Sequence, residues 1–371
     1  MKAILLKQMR TVEDRIVDIE VKDGIITAIG TDLKEHDHLV IDGKKECYIS
    51  NGWIDIHTHC FDKYELYGDK IDEIGYPCGV TTVVDAGTCG ADTIAEFIEQ
   101  KNKAKTNAYA FLNIASCGIK YQDELSDLTH LEPEKTKAAF QQYPDTLIGL
   151  KARMSASVLG NSGITPLAFA TRMGEDMKVP IMVHIGSRPA SLEEILTLSR
   201  KGDLITHIFN PKANGILNPD DTIKSFVLSA KEKGIWFDIG HGKDSFSFHV
   251  CEVAKAHGIL CDSISTDIYS RNRQHGPVYD MATTLDKLRA CGYSLKEVID
   301  RVTKAPASIL KKPELGSLAV GCNGDLTLFH IVEKEKELVD SIGETRIISS
   351  VIQPHAVILH QDYLPCKEVN K

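Results

Sequence analysis

No stretch of the sequence approaches the roughly 18 consecutive apolar residues that a membrane span requires, and the opening MKAILLKQMR holds too short an apolar run for a secretory leader. A cytoplasmic protein is the expectation. A basic block is equally absent: 43 Lys and Arg stand against 52 Asp and Glu, a net charge of −9. That balance argues against nucleic acid or an anionic membrane as partner and toward a small-molecule substrate. The ten cysteines include no C-x-x-C pair, so neither a disulfide framework nor a thiolate zinc site is indicated. They read as small buried hydrophobes in a reducing compartment. There is no internal repeat and no low-complexity linker. Nothing sharpens the assembly state beyond the commonness of homodimers, so a homo-oligomer stays open.

What is present is a rhythm. Between residues 51 and 311 of the 371-residue chain, eight β-rich runs alternate with amphipathic segments: WIDIHTH, GVTTVVDAG, NAYAFLNIAS, TLIGLKARMS, VPIMVHIG, DLITHIFN, GIWFDIGHG and CDSISTDIY. Segments such as ADTIAEFIEQKNKAK and SLEEILTLSRKG repeat apolar residues at i, i+3 and i+4 and often end at Gly. The pattern predicts an α/β fold, a (β/α)8 TIM barrel, with a doubly wound open sheet as the alternative. The flanks, 1–50 and 312–371, read instead as short strands. Asp23-Gly24 between two alternating runs is a hairpin signal. The two flanks are expected to meet in one small β-sandwich beside the barrel.

The first run carries His57 and His59 two positions apart. Strand periodicity predicts that they share a face with Asp55, while Ile54, Ile56 and Thr58 face the helices. Alone, such a pair is as readily two hydrogen-bonded or exposed histidines as two metal ligands. The other runs change this reading. His184, His207 and Asp267 fall near the ends of the fifth, sixth and eighth runs, at the face where such barrels place their active sites. Lys151 lies inside the fourth run, where it either snorkels to the rim, pairs with a carboxylate, or loses its charge. A neutral lysine can react with carbon dioxide to give an anionic carbamate.

H-x-H on the first strand, Lys on the fourth, His on the fifth and sixth and Asp on the eighth together resemble the amidohydrolase superfamily, in its binuclear subgroup. GSLAVGCNGDLTLF resembles the strand that rejoins the small β-domain in those enzymes. The resemblance implies two divalent metal ions, zinc being the expected identity with manganese, iron or cobalt also fitting. His57, His59, Asp267 and a carbamylated Lys151 would hold one, His184, His207 and the same carbamate the other, with a bridging hydroxide. It further implies that hydroxide attacks a polarised carbonyl and that Asp267 carries the proton.

Departures narrow the choice. Dihydroorotase-like sites carry an Arg where this chain has Phe61, and mononuclear purine deaminases carry H-x-E where it has His184-Ile185-Gly186. The whole-chain pattern resembles a branch labelled dihydroorotase or adenine deaminase by analogy but closer to deacetylases, implying cleavage of an ester or amide acyl group from a small carboxylate-bearing compound. A cyclic amidohydrolase of the dihydroorotase or hydantoinase kind and an adenine deaminase are the alternatives. A scaffold without activity is disfavoured by retention of all six ligand types. Arg153, Arg188, Asn210, His241 and Arg271 lie near the ligands in sequence and are candidates for substrate contact. Arg153 is as readily a structural ion pair, and His241 a loop histidine.

Overall fold

The computed structural model describes residues 3–35 and 38–367. Seven parallel strands form one sheet in sequential order: β6 (Trp53–Thr58), β7 (Val80–Ala86), β8 (Asn107–Asn113), β9 (Leu147–Met154), β10 (Ile181–Ile185), β11 (Leu204–Thr206) and β12 (Trp236–Phe237). The eighth predicted run forms no regular strand. It nevertheless bridges the two edges, pairing Ser263 with Asp238 after β12 and Ile268 with Thr58 of β6, both parallel. The Asp267 amide donates to the His57 carbonyl at 2.7 Å and the His59 amide to the Ile268 carbonyl at 2.9 Å. These contacts close the sheet on itself. Helices fall between the strands as the periodicity predicts, at Ile94–Lys101, Thr165–Met177, Leu192–Leu198 and Ser225–Glu232 among others. Ser191 and Glu194 form a reciprocal cap at the start of the third of these.

The remaining strands belong to a second, eight-stranded sheet. β1 (Ala3–Thr11), β2 (Ile16–Lys22), β3 (Ile25–Gly30), β4 (His38–Asp42) and β5 (Tyr48–Asn51) come from before the barrel, and β13 (Leu326–Val339), β14 (Thr345–Leu359) and β15 (Asp362–Pro365) from after it. Antiparallel pairing of β13 with β5 joins the two sets. The β2–β3 turn has both central residues in the left-handed region, Asp23 at φ 52° and Gly24 at φ 75°, the geometry an Asp-Gly hairpin favours. No described helix is long and apolar enough to cross a membrane.

One expectation about β6 is corrected. Ile54 and Ile56 do not face the helices that lie between the strands; their one helical neighbour is the segment Lys304–Ile309, through Ala307 and Ile309. They pack in one apolar cluster with Val84, Phe111, Met182 and Leu204, and the Met182 Sδ lies 3.2 Å from Lys151 Nζ. The β6–β7 register runs Asp55 to Val83 and then Thr58 to Asp85, three residues against two. One extra residue reverses which side chains face inward. Below the bulge the inward positions are isoleucines that fill the barrel floor, and beyond it they are the histidines at its mouth.

Trp53 anchors the junction of the two sheets. It is fully buried, its indole N–H donates to Ser50 Oγ at 3.1 Å, and its ring lies 5.5 Å from that of Phe329 in β13. Trp53→Ala should lower unfolding stability by roughly 3–5 kcal/mol, against about 1 kcal/mol for Ser50→Ala; urea denaturation of both variants measures the difference.

Candidate metal centre at the barrel mouth

Five strands or strand ends each deliver one or two polar side chains to the same place. β6 and its continuation supply His57 and His59, β9 supplies Lys151 and Arg153, and β10 supplies His184. His207 directly follows β11 and Asp267 lies near the end of the eighth run, with φ of 68° and 51°. Left-handed backbone is costly for residues with a Cβ and persists where the surroundings hold it.

The distances are short. His59 Nε2 is 3.0 Å and His57 Nε2 is 3.3 Å from Asp267 Oδ1, and His207 Nε2 is 4.0 Å from Asp267 Oδ2. Lys151 Nζ is 3.1 Å from His57 Nε2, and His207 Nε2 is 2.9 Å from His184 Nδ1. Ligand atoms of His57, His207 and Asp267 lie within 4.8 Å of one another, close enough to share one cation. All six side chains named at sequence level converge here. Lys151 and His57 are 1% exposed and His207 is 0% exposed, so solvent does not compete for these nitrogens.

Electrostatics favours lone pairs over protons. Burial, reinforced by Lys151 and neighbouring imidazoles, holds His57 well below the usual histidine range, and burial lowers His207 to about 4. Burial brings Lys151 down to about 7 although Asp267 works in the opposite direction, which leaves a substantial fraction of neutral amine near neutral pH. Burial pushes the Asp267 carboxyl up, but the contacts with His59, His207 and Lys151 outweigh it and keep it ionised. The outer nitrogens are committed elsewhere. His57 Nδ1 meets Thr206 Oγ1 at 2.7 Å, His59 Nδ1 meets Thr88 Oγ1 at 2.7 Å, and His207 Nδ1 donates to the Gly240 carbonyl at 2.6 Å. Outer hydrogen bonds of this kind orient imidazoles that bind metal. Imidazoles with tethered outer nitrogens, one ionised carboxylate and one deprotonable amine form a donor set that fits a divalent transition metal.

A cleft of about 160 Å³ opens above this group, lined by His59, Tyr67, Arg153, His184, Lys212, Lys243, Asp267 and Tyr269 among others. A larger hollow of about 430 Å³ lies beside Thr11, Asn51 and Lys304, at the opposite end of β6, and none of the six convergent side chains lines it. Of the five candidate substrate contacts, Arg153 borders the cleft. Its guanidinium is also the partner of fully buried Glu124, 3.3 Å away, and sits 5.3 Å over the Tyr67 ring. Arg188 and Arg271 are exposed, and Asn210 spends its side chain on the His207 carbonyl and the Lys212 amide. His241 is buried against Phe246 and accepts from Lys287 Nζ at 2.9 Å. These four do not line the cleft. Sequence reasoning missed Tyr67, Lys212 and Lys243, which stand on loops with no periodicity to reveal their direction, and Tyr269, which lies two positions beyond Asp267 at the end of the eighth run. It also missed Glu124, whose pairing with Arg153 spans 29 positions.

Comparison with known proteins places the chain among relatives of the same overall fold. Residues 318–359 match the family described as a deacetylase-like composite domain. A protein from Enterococcus faecalis named deacetylase is 48% identical over 96% of this chain and 97% of its own length. Another deacetylase, from Brucella anthropi, is 35% identical over 93% of this chain and 87% of its own. Among solved structures, an adenine deaminase superposes with a TM-score of 0.96 at 47% identity, covering 98% of this chain and 99% of that one. A dihydroorotase superposes with a TM-score of 0.92 at 32% identity, covering 99% and 100%. A barrel that gathers four imidazoles, a buried lysine and an aspartate at its mouth, and that resembles these proteins from end to end, places the chain in the deacetylase-like family of the amidohydrolase superfamily.

Proposed function

We propose that the protein is a metal-dependent hydrolase that removes an acyl group, bound as ester or amide, from a small carboxylate-bearing compound. The convergence of His57, His59, Lys151, His184, His207 and Asp267 in a buried mouth carries this reading, and the deacetylase names of its relatives support acyl cleavage. His57, His59 and Asp267 would hold one divalent cation, His184 and His207 the other, with Lys151 contributing to both as a carbamate; zinc is the first choice. Bound there, the metal would make water a nucleophile near neutral pH and polarise the scissile carbonyl.

The chain's own residues supply the rest. Addition of the neutral Lys151 amine to carbon dioxide forms an N–C bond and releases one proton. A side chain with no carboxylate in contact then becomes an anion. Asp267, held ionised, is placed to take a proton at the carboxylate oxygen facing the cleft and return it to the leaving group. Lys212 and Lys243 line the cleft and, among the described residues, neither is in an ion pair, which leaves both ammonium groups for a substrate carboxylate. The Tyr67 and Tyr269 rings, 5.1 Å apart, form an apolar wall beside them. We also read residues 1–50 and 312–371 as the two halves of one β-sandwich unit flanking a 51–311 barrel, because Ile4, Ile19, Leu326 and Ile358 share one apolar cluster.

A screen of zinc-loaded protein should find hydrolysis of acylated hydroxy or amino acids. Ammonia released from adenine, or opening of cyclic ureides, without such cleavage would assign the site to the deaminase or cyclic amidohydrolase class. Asp267→Asn refilled with zinc should lose roughly 10²–10⁴-fold in kcat at unchanged occupancy; turnover near wild type would confine Asp267 to holding metal. Protein grown with zinc should carry about two ions per chain, falling to one or fewer in Lys151→Met, by elemental analysis. Lys243→Met should raise KM for a carboxylate substrate roughly 10-fold while changing kcat little, the signature of lost uniform binding.

A further inference from the structure

We propose that Asp238 is a positioning residue that aims the Nε2 lone pairs of His57 and His207 into the barrel mouth through two fixed hydrogen-bond chains; the proposal rests on the metal-dependent reading above. Asp238 directly follows β12, is fully buried, and contacts no lysine or arginine among the described residues. Three hydroxyls surround it instead. Ser263 Oγ donates to Oδ1 at 2.6 Å, while Thr206 Oγ1 at 2.8 Å and Ser265 Oγ at 2.6 Å donate to Oδ2. An ionised carboxylate without a cation partner is costly inside a protein, so the arrangement needs a reason other than stability.

The reason follows from counting protons. Burial pushes the Asp238 carboxyl up, but three hydroxyl donors favour its ionised form; a carboxylate only accepts, so the single hydroxyl hydrogen of Thr206 goes to Asp238. The Thr206 oxygen can then meet His57 Nδ1, 2.7 Å away, only as an acceptor. Nδ1 therefore carries the imidazole proton, and Nε2 is left as a lone pair facing Lys151 and Asp267. The second chain works through the backbone. Ser265, its hydrogen also given to Asp238, accepts from the Gly240 amide at 3.0 Å, and the Gly240 carbonyl accepts from His207 Nδ1 at 2.6 Å. One buried charge thus selects the tautomer of His57 through a single hydroxyl and pins the peptide that selects the tautomer of His207. Gly240 has room for no more: at φ 47°, a Cβ there would stand 2.1 Å from Thr206 Oγ1, displacing the hydroxyl that links the two halves.

The test compares Thr206→Val, which keeps the shape and removes the hydroxyl, with Thr206→Ser, which keeps the hydroxyl, and with Asp238→Asn. Zinc affinity of metal-stripped protein, measured by competition with a chromophoric chelator, should fall roughly 10- to 100-fold for Thr206→Val and Asp238→Asn. Thr206→Ser should stay within about 3-fold of wild type. Nitrogen-15 NMR of the metal-free protein should show His57 protonated at Nδ1 in wild type and a tautomer mixture in Thr206→Val. Unchanged zinc affinity in Thr206→Val, or a Thr206→Ser as weak as Thr206→Val, would overturn the proposal. If Thr206→Val does not fold, the wild-type tautomer decides alone, a proton on Nε2 being the contrary result. Wild-type protein that binds no zinc yet shows the Nδ1 tautomer would overturn the metal reading and leave the positioning role standing.

Discussion

A nitrogen lone pair sealed from water must find either a proton or a cation, and the mouth of this barrel gathers several of them within hydrogen-bond distance while making protons hard to keep. His207 illustrates the bind. Its Nδ1 proton is spent on a backbone carbonyl, so its Nε2, 2.9 Å from His184 Nδ1, faces another imidazole across a gap that only a shared proton or a shared ion can bridge. Lys151 adds an amine whose charge burial opposes. On the reading proposed above, divalent cations resolve all of these conflicts at once, and the rest of the fold exists to hold the conflict in place.

That holding is visible in what surrounds the mouth. Asp55 accepts from the backbone and hydroxyl of Thr266, and Asp85 from the amides of Thr88 and Cys89. Together with Asp238 they make a ring of buried carboxylates under the imidazoles, each anchored on neutral donors rather than on cations. Such a ring contributes little to stability. Its use is direction: Asp55 holds the Thr266 backbone next to Asp267, Asp238 holds the Thr206 hydroxyl next to His207, and Asp85 holds the turn whose Thr88 hydroxyl meets His59 Nδ1. The left-handed backbone at His207 and Asp267 belongs to the same economy, with strain held where side chains must leave a strand and turn into the mouth.

How much of this the chain announces depends on whether the interaction is local. Alternation and turn chemistry made the barrel, the Asp23-Gly24 hairpin and the six convergent side chains legible, because each is set by two or three neighbouring residues. The inward face of β6 was misjudged because a bulge depends on how β6 registers with β7, which no property of WIDIHTH encodes. The eighth run, read as a strand, forms no regular strand yet keeps backbone bonds to both neighbours, Ser263 and Ser265 carbonyls accepting from the Ile239 and His241 amides and the Asp267 amide donating to the His57 carbonyl, while the Thr266 amide is diverted to the Asp55 side chain. Glu124 behind Arg153 and Asp238 behind Thr206 were invisible for the same reason, that their meaning lies in partners tens of residues away, and Lys212 and Lys243 because they stand on loops without periodicity. Arg153, open at sequence level between substrate contact and ion pair, forms the ion pair with Glu124 and borders the cleft.

The central claim is that these side chains enclose metal rather than merely hydrogen-bond to one another. Crystallographic anomalous scattering at the zinc edge, on protein grown with zinc and bicarbonate, addresses it directly. The account predicts two peaks, one among His57, His59 and Asp267 and one between His184 and His207, with density for a carboxylate extending from Lys151 Nζ toward both. A map with no peak at the mouth and an unmodified Lys151 would contradict it.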